Sequence, residues 1–123
     1  MKYEVQEHLH YAGIPSWNHC PITQDVEGAD IVVMGVPFDS GVTFRPGARF
    51  APRAVREQSL IACCFKYPWE YKLADEAKVV DYGDVGYWVG AKATEFMVED
   101  SYKHAKKILD AGCSLMTIGG DHT

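Results

Sequence analysis

Ile31-Val32-Val33-Met34-Gly35-Val36 is an unbroken apolar run, rich in β-branched residues and closed by Pro37. A strand with one wet face would alternate apolar and polar side chains. This one does not, so it is expected to be covered on both faces, as in a parallel sheet. The segment that follows, Asp39-Ser40-Gly41-Val42-Thr43-Phe44-Arg45-Pro46-Gly47-Ala48-Arg49, is dense in turn-forming residues and reads as a long loop at the strand's carboxyl end. Loops of that length usually serve function. Pro52 suits the first turn of a helix running to about Ile61, because its missing N–H is not needed there. The apolar face of that helix is modest.

Farther along, Lys78-Val79-Val80-Asp81 reads as a second short strand leading into a glycine-bearing loop, Tyr82-Gly83-Asp84-Val85-Gly86. Met97, Ser101, His104, Ala105, Ile108 and Ala111 then recur at helical spacing, and Gly112 supplies a helix stop. A third strand spans Ser114 to Ile118. The expected order over 29–123 is therefore β-α-β-α-β, with right-handed crossovers and parallel strands. Residues 1–28 show no clear periodicity and read as an irregular arm laid over the domain.

The 123 residues leave room for one domain with a real core. A net charge of -5, with no stripe of Lys and Arg, argues against nucleic acid and suits a cationic small molecule better. The first residues, Met1-Lys2-Tyr3-Glu4-Val5-Gln6-Glu7-His8, contain no apolar leader core, and no stretch approaches the roughly 20 apolar residues of a membrane helix. A cytoplasmic protein without a membrane partner is expected. Cys20, Cys63, Cys64 and Cys113 form no C-x-x-C spacing; the adjacent pair reads as reduced residues near a helix end, ahead of a vicinal redox switch.

All three strand ends carry polar loops: Asp39 with Arg45 after the first, Asp81 and Asp84 around the second, Asp121 and His122 after the third. In an open α/β sheet these ends form the ligand crevice. Asp39, Asp81 and Asp84 read as loop-fixing groups ahead of ligands, since Asp caps backbone N–H groups in turns. Arg45, Arg49, Arg53 and Arg56 are either solvated or paired with these carboxylates. His122 is either a satisfied polar residue or a ligand. The Gly119-Gly120 turn puts it where ligands sit, with Asp121 behind it. His8, His10, His19 and His104 read as structural or exposed.

Four ordered blocks carry a family resemblance: Gly35 to Gly41, Arg45 to Arg56, Asp81-Tyr82-Gly83-Asp84-Val85, and Gly119-Gly120-Asp121-His122-Thr123. Together they resemble the ureohydrolase (arginase/agmatinase) family, with wording closest to agmatinases, and Tyr11 to Ser16 extends the likeness. The resemblance implies a three-layer α/β/α fold with a mainly parallel sheet, arginase-like, of which the N-terminal β-α-β-α-β part is present. It also implies two manganese (Mn2+) ions bridged by hydroxide in the complete parent, acting on a small cationic guanidino substrate in a homo-oligomer. Carried over by motif, His122 becomes a ligand of one manganese; beside it the residue reading keeps Asp121, Asp39, Asp84 and Arg45 as supporting or loop-fixing residues. The family's other ligands come from an Asp-Ala-His-x-Asp block and a later Asp-x-Asp block, neither of which occurs in this sequence. They are expected beyond Thr123, and no catalytic residue is assigned within the chain. Ala51, Thr123, Trp17 and His19 depart from the common residues, and the last two leave the exact substrate open.

The expected activity is hydrolysis of agmatine to putrescine and urea. Alternatives are a guanidinobutyrase, another guanidino-acid hydrolase or a formimidoylglutamase. Outside enzymes, an inactive α/β fragment or a binding module is the competing reading, although the loop after the first strand lacks the G-x-G-x-x-G of dinucleotide binders.

Overall fold

The computed structural model describes residues 9–62, 71, 73–86 and 88–123. Cys63 and Cys64, read above as lying near a helix end, fall outside the described residues, as does His8. The elements are a 3-10 turn Trp17–His19, strand β1 (Ile31–Val36), a 3-10 turn Ala48–Phe50 running into helix α1 (Ala51–Ser59), the short α2 (Leu73–Glu76), β2 (Val79–Asp84), α3 (Ala93–Asp110) and β3 (Ser114–Gly119). The sheet order is β2-β1-β3 and both pairings are parallel. This is the expected parallel α/β arrangement, with the apolar run at its centre.

Because β1 is flanked on both sides and packed on both faces, Val32, Val33 and Met34 are almost wholly removed from water. Alternation along the strands separates two cores. Val32, Met34, Val80 and Tyr82 pack with Ile108 of α3, while Val33, Val79, Met116 and Ile118 pack with Cys20 and Trp17 on the other face. Each fully buried aliphatic side chain stabilises the fold by about 1.5–3 kcal/mol. On α3, Met97 and Ile108 are buried and Ser101, His104 and Ala105 half-buried, so the helical spacing marks the packed stripe up to Ile108, while Ala111 caps the helix and is exposed; Gly112 follows with φ 82.

Several element limits differ from expectation. β2 continues through Tyr82-Gly83-Asp84, which the sequence marks as a loop, because Tyr82 packs in the α3-side core and the β1 pairing runs on to Gly35–Asp84 after a register shift between Val33 and Met34. Helix α1 stops at Ser59 rather than about Ile61, and α2 was not expected. In the arm, Asp81 N–H donates to Pro21 O at 2.9 Å, Thr23 N–H donates to Asp81 O at 2.9 Å, and Ile22 bridges Asp81 in parallel, so the outer edge of β2 is covered there. The other edge, along β3, has no strand partner among the described residues. Cys20 and Cys113 are buried free thiols, and burial together with the nearby Asp81 charge pushes the Cys20 thiol up to about 12, which makes it inert.

Candidate functional site

The carboxyl ends of the strands carry four carboxylates, and their partners decide which could face a ligand. Asp39, on the loop after β1, is saturated. Its Oδ2 accepts the Gly47 and Arg49 N–H groups at 2.7 and 3.2 Å, and its Oδ1 accepts Arg49 Nε at 2.6 Å and Nη2 at 2.5 Å. A carboxylate has about four acceptor sites, so none remains for a ligand. The Arg49 side chain, against desolvation and with help from the two backbone donors, holds the Asp39 carboxyl down at about 2. Asp39 thus folds its own loop, and Arg49 is its partner. Arg45, which the sequence reading put on the same loop and left either solvated or paired, lies exposed with its guanidinium over the Phe44 ring at 5.1 Å.

Asp81 is saturated in the same way, by Arg56 Nε (2.7 Å) and Nη2 (2.9 Å) and by the N–H groups of Trp17 (2.7 Å) and Gly83 (2.9 Å). Arg56 also reaches Asp84 Oδ1 through Nη1 at 2.5 Å. Burial alone would push the Arg56 guanidinium down, but these carboxylates more than offset it and hold it up. This explains the modest apolar face of α1: Pro52, Arg56 and Ser59, at helical spacing, are the buried face, and its anchor is ionic. The sequence reading left Arg56 either solvated or paired with these carboxylates; that the pair is the buried anchor of α1 it could not give, because apolar periodicity does not register a polar face. The one local signal is a helix with few apolar residues whose Arg56 falls in the Pro52 stripe.

The turn after β3 is built differently. Gly120 has φ 60, and a Cβ there would lie 2.5 Å from both Val36 O and Phe38 O, so only glycine lets the chain cross the end of β1 this closely. Asp121 N–H donates to Phe38 O at 2.8 Å, Asp121 Oδ2 accepts Gly41 N–H at 2.8 Å, and Oδ1 accepts Thr123 N–H at 2.9 Å. Burial pushes the Asp121 carboxyl up, yet the Thr123 and Gly41 donors outweigh it and leave it below the ordinary value. Between two such fixed neighbours, His122 is exposed and makes no hydrogen bond or ion pair with the described residues. His104, by contrast, is occupied by the Tyr82 hydroxyl at 2.7 Å and His19 by Leu60 O at 3.2 Å.

The three strand ends therefore do meet. Val85 N–H donates to Gly35 O at 2.9 Å, tying β2 to β1, while the Asp121 bonds tie β3 to the β1 loop.

Residues 29–123 match the Arginase family. The chain belongs to that family. It is 40% identical over 113 residues to an agmatinase of Chromobacterium violaceum, covering 91% of this chain and 34% of that protein. It is 35% identical over 115 residues to the mitochondrial guanidino acid hydrolase of Homo sapiens, covering 90% of this chain and 31% of that protein. The crystal structure of a hypothetical agmatinase from Burkholderia thailandensis superposes with a TM-score of 0.85 at 39% identity, covering 98% of this chain and 38% of that one. The chain thus spans about a third of the length of these relatives.

Among the described residues no group of three His, Cys, Asp or Glu is placed to hold a metal ion. His122 fits the requirement for one ligand, being an uncommitted imidazole on a rigid turn, while Asp39 and Asp81 have no acceptor capacity to spare. No helix among the described residues is long and apolar enough to cross a membrane.

Proposed function

We propose that the whole protein, of which this chain forms about a third of a relative's length, is a manganese-dependent amidinohydrolase converting agmatine to putrescine and urea, with His122 as one metal ligand. The observation that carries the reading is the exposed, uncommitted His122 on a turn clamped at both neighbours, in a chain 40% identical to an agmatinase. His122 would be one of the residues holding a divalent ion, which when bound would supply a water of lowered pKa for hydrolysis of the guanidinium group. The residues of this chain orient and exclude. Asp121 fixes the backbone on either side of His122, and Asp39 with Arg49 shapes the loop beside it.

Charge supports agmatine over arginine. An α-carboxylate needs its own donors, and Arg49, Arg53 and Arg56 are already paired with Asp39, Glu57 and the Asp81–Asp84 couple. The second reading, a guanidino acid hydrolase, is favoured by the exposed Arg45 and by the 35% identity to the human enzyme of that name. We place the protein in the cytoplasm as a homo-oligomer serving polyamine biosynthesis.

Urea release by the full-length protein with Mn2+ decides between these readings. The expected order is agmatine ahead of arginine and guanidinobutyrate. A preference for guanidinobutyrate moves the assignment to the second reading, and no urea from any of the three overturns both.

A further inference from the structure

We propose that Gly41 is a positioning residue for the His122 turn, welding the loop after β1 to the turn after β3 so that the two behave as one piece. The inference deepens the proposed function, since its importance for chemistry rests on His122 being a metal ligand. The weld itself stands on geometry alone.

Gly41 and Asp121 are 80 residues apart, yet the Gly41 N–H donates to Asp121 Oδ2 at 2.8 Å. The opposite oxygen of the same carboxylate accepts Thr123 N–H at 2.9 Å, and Asp121 N–H returns to Phe38 O at 2.8 Å. His122 therefore sits between Asp121, whose N–H is held by Phe38 O, and Thr123, whose N–H is held by the Asp121 carboxylate. That carboxylate is held in turn by the Gly41 N–H of the other loop.

The glycine at 41 is required by space. Its φ lies outside the left-handed region, so its backbone would accept alanine. A Cβ at position 41, however, would stand 2.0 Å from Thr123 Oγ1, 3.2 Å from Asp121 Oδ2 and 3.3 Å from Thr123 Cβ. Gly47, at the far end of the same loop, shows the opposite case: φ is 131 and nothing lies within 4 Å of its would-be Cβ. Conformation calls for glycine at 47, and close approach to the His122 turn calls for it at 41. A methyl at 41 must push Thr123 or break the Gly41–Asp121 bond. Turning the Thr123 hydroxyl away still leaves the methyl tight against Thr123 Cβ and Asp121 Oδ2 at 3.3 and 3.2 Å, the residues on either side of the imidazole, and groups that orient a metal ligand typically control affinity by about 10–100-fold.

The test is a double-mutant cycle in the full-length protein with Gly41→Ala, Thr123→Ala and the pair, using His122→Ala as the reference variant. Mn2+ affinity of the metal-free protein and the melting temperature without metal are measured on each. Gly41→Ala is expected to weaken Mn2+ binding by about tenfold or more while unfolding stays cooperative. In the pair, loss of the Thr123 hydroxyl removes the 2.0 Å clash, so both affinity and melting temperature should recover part of what Gly41→Ala loses. Should Gly41→Ala alone not fold, recovery of a cooperative melt in the pair supports the weld equally, and its absence overturns it. Strictly additive losses, or full Mn2+ affinity in Gly41→Ala, overturn the proposal. Unchanged Mn2+ binding in His122→Ala overturns the metal reading instead, and the metal-free melting cycle then still tests the weld.

Discussion

Arg56 and Asp81 form a two-pronged ion pair in the interior, Nε to Oδ2 at 2.7 Å and Nη2 to Oδ1 at 2.9 Å, with 8% and 1% of their side chains exposed. The pair joins α1 to β2, and Trp17 N–H on the same carboxylate adds the arm. Removing one partner leaves a buried charge without compensation, which costs roughly 3–5 kcal/mol. Arg56→Met should therefore lower the urea midpoint of unfolding by a large fraction of a domain's total stability. Arg56→Lys keeps the charge but loses the fork, so it should fall between Arg56→Met and the unaltered protein. Equal midpoints for Arg56→Met and the unaltered protein would show that the pair contributes nothing net.

Acid should weaken the loop after β1. The Arg49-paired Asp39 carboxyl sits at about 2 in the folded protein against an ordinary 3.8, so the folded state binds fewer protons than the unfolded one in this window. Its contribution is fully present above 3.8 and is lost as pH falls from there through about 2. Asp121, also held below its ordinary value, acts in the same direction. Asp39→Asn should flatten the stability profile across that interval, read as urea midpoints at stepped pH. An unchanged profile would mean that Asp39 is not held down.

How far the fold could be read ahead depended on whether each element's cause was local. β1 was legible to the residue, because an apolar run closed by Pro37 needs only burial on both faces. The packed stripe of α3 was legible for the same reason. The end of β2 was not: Gly83 and Asp84 carry turn chemistry, and what keeps them in the strand is pairing with β1 and the grip of Arg56, both distant in sequence. At the site, the loop-fixing nature of Asp39 and Asp81 could be anticipated from Asp chemistry, whereas the partner choice of Arg49 over Arg45 could not. A loop's fold decides which of two nearby guanidiniums reaches a carboxylate. Gly41 looked like one turn glycine among several, because its reason for being glycine is a residue 82 positions away.

His122 is exposed and pairs with none of the described residues, so its replacement removes little from the fold itself. In the full-length protein His122→Ala is expected to leave the melting temperature of the metal-free form nearly unchanged. Manganese content and urea production should both fall steeply, because one ion loses an imidazole. Metal analysis and turnover on the same preparation check this. Full stoichiometry with full activity would remove His122 from the ligand set.

The 123-residue chain expressed by itself is expected to release no urea and to associate. On the chemical side, no trio of ligand residues is assembled among the described residues, so a catalytic ion has no complete shell. On the structural side, β3 has a neighbour only in β1 among the described residues, and its Leu115, Met116 and Ile118 stay half-exposed. Beside it a cavity of about 360 Å³ opens between α3 and the sheet, lined by Met34, Val36, Phe38, Met97 and Ala105. A strand edge with free N–H and C=O groups next to uncovered apolar surface pairs readily with other chains. The covered edge of β2 offers no such site at residues 21–23. Sedimentation at rising concentration should show mass growing with concentration, and a β3 substitution such as Thr117→Pro, which removes a backbone donor, should reduce it. A monomer at all concentrations that also hydrolyses agmatine would contradict the open-edge and the missing-ligand expectations at once.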